Sequence, residues 1–256
     1  MGKCILKLLA CFVFLIGADI FAATIVKVGG YTFPPYLDQH TQSEKQSGLT
    51  IELINELNKM QSDYKFEFVP TSSSRRYIDF KSNQFDAIFF EDIAWGWKDY
   101  EVVFSNLIAK DDEVYIAKKK EGRDQSYFND KKNKKFVGIK GYHYAFANFN
   151  NDIDFLKKNF GAELTSDHDG SIQMILFDRG DIGIVTHSYL DYYLNKNPDV
   201  KDKIIISNKP DQVYSLGIVA RKNMNPKIDA INKLIQNLKS NGTFKKMFKL
   251  YNLKEI

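Results

Sequence analysis

Short apolar runs of strand type alternate with helix-period segments along nearly the whole chain, and this alternation restricts the fold more than any other feature. Phe85-Asp86-Ala87-Ile88-Phe89-Phe90 is the clearest run, continuous enough to fit a strand buried on both faces of a sheet. Between Leu49 and Met60, by contrast, Leu53, Ile54, Leu57 and Met60 fall on one helical face. Strands over Ile25 to Val28 and Tyr64 to Val69, a short helix over Arg75 to Lys81 and an apolar stretch from Glu113 to Lys118 complete a first series. The order predicts an α/β fold with mostly parallel sheets flanked by helices.

From Lys119 to Lys135 the chain turns polar, with Gly122 and few aliphatics, which reads as a connection. A second series follows. It comprises strands Phe136 to Ile139 and Ile182 to Val185, helical stretches Tyr144 to Phe149, Ile153 to Phe160, Ser171 to Arg179 and Ser188 to Asn195, and an apolar run from Ile204 to Ile206. After the turn-rich Ser207 to Asp211 come a strand, Tyr214 to Ala220, and helices Lys227 to Ser240 and Thr243 to Leu250. With 44% hydrophobic and 14% aromatic residues the chain can fill a large core, and its length suits one large domain or two lobes.

The first residues have the pattern of an export leader. Lys3 and Lys7 precede an apolar run from Leu8 to Gly17, and the small pair Ala22-Ala23 offers a cleavage site. That run is too short to span a bilayer, so residues 1–23 are expected to be removed and the protein to reach the periplasm. Leu8-Leu9-Ala10-Cys11 loosely fits a lipoprotein signal, but cleavage there leaves apolar Phe12 to Ile16 on the product. Both cysteines, Cys4 and Cys11, lie in the leader, so the mature chain has no disulfide and no thiol chemistry. The formal charge of +4 becomes +3 once Lys3, Lys7 and Asp19 are gone, which is too mild for a nucleic-acid partner; the lysine-rich stretch 131–135 reads as a solvated loop.

Several short motifs recur in a telling order: Val28-Gly29-Gly30-Tyr31 into Phe33-Pro34-Pro35-Tyr36, Gly48 before the first helix, Phe85-Asp86-Ala87-Ile88, Val102-Val103-Phe104-Ser105, Val137 to Tyr142, and Arg179-Gly180-Asp181-Ile182-Gly183-Ile184. In this order they resemble the bacterial extracellular solute-binding proteins of family 3, which include the periplasmic amino-acid-binding proteins. The resemblance implies the two-lobe periplasmic-binding-protein fold (type II) with a two-stranded hinge, residues 24–118 and 209–256 forming lobe 1 and 119–208 lobe 2. It further implies a monomer that captures a small-molecule solute for an inner-membrane ABC permease, or presents it to a sensor receptor, without a cofactor.

Ligands of open parallel sheets collect beyond the carboxyl ends of strands, which directs attention to the loops there. Tyr31, Phe33 and Tyr36 follow the first strand, with two prolines restricting the backbone between the rings. Arg75, after Ser72-Ser73-Ser74 and ahead of Arg76, suits an anion at a helix start. Relatives that bind amino acids carry a threonine and, three residues later, an arginine for the α-carboxylate; counting back from Phe104-Ser105 places Trp95 and Lys98 there, with Trp97 between them. Lysine supplies charge but not the bidentate fork. In the second lobe Tyr142, His143 and Tyr144 sit in a glycine-bearing loop, and Thr186, followed by His187, stands where those relatives present an aspartate to the α-ammonium.

Together, Arg75 and Lys98 would leave the cleft cationic and its rings would make it flat, favouring an anionic or planar polar solute unless Glu91 or Asp92 reverses the charge. No metal-ligand spacing, nucleophile elbow or phosphate loop is present, and His40 and His168 lie in turn-like sequence. An enzyme on the same scaffold is the alternative, related to the cyclohexadienyl dehydratases, and Glu91 with His187 is the pair it would need.

Overall fold

The computed structural model describes residues 23–39, 46–131, 133–251 and 253. The leader, both cysteines and His40 lie outside the described residues. Strand β1 (Thr24–Gly30) leads to a two-residue ribbon of β2 (Asp38–Gln39) and β3 (Gln46–Ser47), then to α1 (Leu49–Met60), β4 (Tyr64–Pro70), α2 (Arg76–Lys81), β5 (Ala87–Glu91), β6 (Val102–Phe104) and β7 (Ala109–Lys118). The chain continues through β8 (Phe136–Ile139), α3 (Ile153–Phe160), β9 (Glu163–Thr165), α4 (His168–Leu176), β10 (Ile182–Thr186) and α5 (His187–Lys196). It ends with β11 (Ile204–Arg221), α6 (Ile228–Ser240) and α7 (Thr243–Leu250).

Nine strands form one mixed sheet in the order β4-β1-β5-β11-β7-β10-β8-β9, with β6 also on β11. Parallel pairing is confined to two wings: β4, β1 and β5 on one side, β10, β8 and β9 on the other. Between them β7 and β11 run antiparallel to each other and to their outer neighbours. The sheet curls and helices flank it, giving the two-lobe periplasmic-binding-protein architecture. One core of buried side chains runs through both wings; a smaller one around Ile116, Val137, Ile172, Ile175 and Leu190 lies on the opposite face of the second wing.

Three local readings need correction. Ser207 to Asp211 is not a turn between strands but a bulged stretch inside the 18-residue β11, where the register against β7 slips between Ile206 and Pro210 and again before Gln212. Helix α4 begins at His168 rather than Ser171, because the Asp167 side chain accepts from the Gly170 amide and caps it. The stretch 144–149 forms only one 3-10 turn, Ala145–Ala147, since Asn148 and Phe149 take positive φ.

Candidate functional site

Both wings point the carboxyl ends of their parallel strands at the same interior space, and the loops that follow those ends meet there. Tyr31 and Phe33 come from the end of β1, Trp95 from beyond β5, and Tyr142 from beyond β8, with Tyr214 rising from the middle of β11. The polar groups are Arg76 at the start of α2, Glu113 on β7, His143 and Gln212. Together they close around a residual space of about 10 Å³ for the centre of a water molecule, room for roughly one.

The rings pack mainly edge to face. Phe33 lies 5.7 Å from Trp95, 6.0 Å from Tyr142 and 6.1 Å from Tyr214, and Trp95 stands 4.8 Å from Tyr214 at 85°. Contacts between the wings seal this chamber. The Tyr142 hydroxyl donates to the Thr32 carbonyl, Ser73 Oγ donates to the Lys140 carbonyl at 2.6 Å, and Arg76 Nη1 donates to the Gly141 carbonyl at 3.2 Å.

Arg76 is the one buried guanidinium in the chamber, and it is held by groups from both wings. Nε lies 3.3 Å from Glu91 Oε2, Nη1 serves the Ser73 and Gly141 carbonyls, and Nη2 meets His143 Nδ1 at 3.4 Å. Its charge also sits over the rings of Tyr31 and Tyr77, at 4.9 and 4.5 Å. Burial opposes that charge, but Glu91 and the surrounding tyrosines outweigh it and raise its pKa. Burial and the Arg76 charge together push His143 down to about 3, so its ring is neutral.

Glu113 is placed differently. It is 1% exposed and accepts from Gln212 Nε2 at 2.7 Å, beside the Tyr214 hydroxyl. Burial lifts its carboxyl to about 8, and the like charges of Asp211 and Asp111 add to the shift. Gln212 is held at both ends, its carbonyl oxygen accepting from Trp95 Nε1 at 3.2 Å and its amide also reaching the His143 carbonyl.

Of the residues singled out from the sequence, Tyr31, Phe33, Trp95 and Tyr142 line the chamber. Four lie one layer behind it. The Tyr36 hydroxyl donates to Asp111 at 3.0 Å, Glu91 neutralises Arg76, Trp97 donates to Glu91 from inside a cluster with Tyr77 and Phe80, and the Tyr144 hydroxyl accepts from the Ile139 amide. Thr186 is buried at the end of β10, opposite Glu113 in the ladder. His187 sits at the rim, 44% exposed, with Nδ1 2.9 Å from Asp112 Oδ1.

Arg75 and Lys98 are both on the outside. The Arg75 side chain is 70% exposed and pairs loosely with Asp79, and Lys98 faces solvent in the 3-10 turn after Gly96. The expectation of an anionic or planar polar solute keeps its rings in the chamber, while Arg75 and Lys98 contribute no charge there. One residue along, Arg76 is turned inward by the first turn of α2 and takes the interior position. Glu113, Gln212 and Tyr214 had not been foreseen; Glu113 and Gln212 had a faint signal as polar residues set into strand-type sequence.

The fold has many solved counterparts, and those named below are similar at low identity. A substrate-binding protein of an ABC uptake transporter from Streptococcus pneumoniae with bound histidine matches with a TM-score of 0.70 at 18% identity, covering 89% of this chain and 92% of that one. A putative binding component of an ABC transporter from Wolinella succinogenes, complexed with lysine, matches at 0.69 and 15%, covering 88% and 94%. An ancestral amino-acid-binding protein described as a precursor of cyclohexadienyl dehydratase matches at 0.66 and 17%, covering 89% and 95%. No curated protein matches by sequence. The family model of the bacterial extracellular solute-binding proteins, family 3, matches residues 26–254, and the chain belongs to that family.

Proposed function

We propose that the protein captures a small polar solute in the chamber between the wings and hands it to an ABC-type importer from the periplasm. Segments 24–118 and 209–256 act as one lobe and 119–208 as the other, with β7 and β11 bending as the hinge. The observation that carries this reading is the chamber itself: its walls come from loops of both wings, so a ligand held there bridges them and favours closure. The structural counterparts bind histidine and lysine, which exceed the one-water space left here, so a solute of that class enters with the wings apart and is enclosed as they close.

Binding proceeds without turnover. Glu91 and His187, the pair an enzyme on this scaffold would need, are engaged elsewhere, Glu91 with Arg76 in the interior and His187 with Asp112 at the rim. The test is a thermal-shift screen of amino acids, amines, carboxylates and aromatic metabolites, combined with small-angle scattering to follow closure. A true ligand is expected to stabilise the fold by ~2.7 kcal/mol at about a hundred times its Kd and to compact the molecule. A hit that is chemically consumed, or one that leaves the scattering profile unchanged, overturns the reading.

A further inference from the structure

We propose that the chamber takes a small organic ammonium ion, with Glu113 as its counter-charge and the rings of Phe33, Trp95, Tyr142 and Tyr214 as its walls. This rests on the capture reading above and deepens it by naming the ligand class. Three observations carry it.

The first is which buried ionisable group lacks a partner of opposite charge. Arg76 and Glu91 offset each other at 3.3 Å, so the chamber's guanidinium already has its counter-charge. Glu113, by contrast, has Gln212, Tyr214, Asp211 and Asp111 around it, and none of them is cationic. A cation suits this corner, whereas an anion would face the three carboxyls of Glu113, Asp111 and Asp211.

The second is the wall material. Edge-to-face rings present both faces and edges to the enclosed space, and a ring face attracts an ammonium group most strongly where water is excluded. The third is what the chamber omits. Among the described residues its one lining cation is Arg76, already paired with Glu91, while Lys98 faces solvent.

Charge balance follows directly. Near neutral pH the Glu113 carboxyl holds its proton, since burial lifts it to about 8. An incoming alkylammonium keeps its own proton, and Glu113 releases one to the buffer and becomes the carboxylate partner. The groups facing Glu113 are Asp211 and Tyr214 on β11, Asp111 and Tyr115 on its own strand, and Tyr142 and Tyr144 from the loop beyond β8. Arg76 and the neutral His143 stand across the chamber. All the tyrosines are held protonated by burial, and burial raises Asp111 and Asp211 as well, so the proton released comes from this carboxyl cluster, with Glu113 lifted to about 8.

Isothermal titration calorimetry of the full chain tests this, with n-butylammonium, butyrate, γ-aminobutyrate, lysine and cadaverine as probes in two buffers of different ionisation enthalpy. The expected result is binding of n-butylammonium or cadaverine with release of about one proton per site. Glu113→Gln, which keeps a partner for Gln212, is expected to weaken that binding by about tenfold or more while its ligand-free melting temperature holds or rises. Binding of butyrate or γ-aminobutyrate alone, or equal amine affinity in Glu113→Gln, overturns the ammonium assignment and leaves capture standing. Heat from none of the probes, with no closure by scattering in the wider screen, overturns both.

Discussion

Gly141 and Ser74 meet across the cleft so closely that a Cβ on Gly141 would lie 2.6 Å from the Ser74 backbone nitrogen. Gly141 also has φ of +81°, a conformation side chains strain against. Gly141→Ala is therefore expected to hold the wings apart. Scattering should report a larger radius of gyration, and apparent affinity should fall about tenfold as the closed fraction falls. An unchanged profile and affinity would show that this approach is dispensable.

The interior pair of Arg76 and Glu91 makes a sharper stability prediction. Glu91→Ala leaves a buried guanidinium without its carboxylate and is expected to cost ~3–5 kcal/mol in urea unfolding. Arg75→Ala, which removes only an exposed partner of Asp79, should stay within about 0.5 kcal/mol. Comparable losses would mean the two arginines had been assigned to the wrong sides.

Stability should also depend on pH from two directions. Burial holds Glu113 at about 8 against an ordinary 4.5, so the folded chain keeps a proton that the unfolded chain releases. That contribution is complete below 4.5 and drains away as pH rises to about 8. His143 and His168 act oppositely: burial lowers both to about 3 from 6.5, so their contribution is present above 6.5 and lost as pH falls towards 3. Between 6.5 and 8 Glu113 is the changing one of the three. Across that window wild type should lose about 1.4 kcal/mol per pH unit relative to Glu113→Gln in urea titrations. Parallel pH profiles would place Glu113 outside this linkage.

The two tryptophans of the chain offer an optical test. Trp95 lines the chamber, whereas Trp97 is packed against Tyr77, Phe80 and Tyr100 with its indole donating to Glu91. A ligand-induced emission change is expected to survive Trp97→Phe and vanish in Trp95→Phe. Persistence of the change in Trp95→Phe would put the ligand elsewhere.

The legibility of this chain in its sequence was uneven for physical reasons. Element types followed from period, because buried strands such as β5 and amphipathic helices such as α1 write their burial into apolar spacing. Loops leading into the chamber were also found, since carboxyl-end loops follow from strand order. Which of two adjacent arginines turned inward was not legible: spacing does not set the helix phase of Arg75 against Arg76 when α2 has only six residues. Glu113 escaped notice because it opens the strand-type stretch 113–118 directly after Asp111 and Asp112, and only pairing with β10 and β11 buries it. The same ladder hid the Ser207 to Asp211 bulge, where proline and asparagine mimic a turn.

The placement of β11 between β5 and β7 also bears on how the chain is made. Residues 136–196 pair among themselves through β8, β9 and β10, so this wing can assemble soon after it is synthesised. The other wing is left unfinished until much later, because Gly217 to Ala220 must slot against β5 and α1 must receive α6 and α7. Contacts of such sequence separation form slowly. The wing built from residues 24–104 thus emerges with one sheet edge uncovered and depends on the last forty residues for its burial.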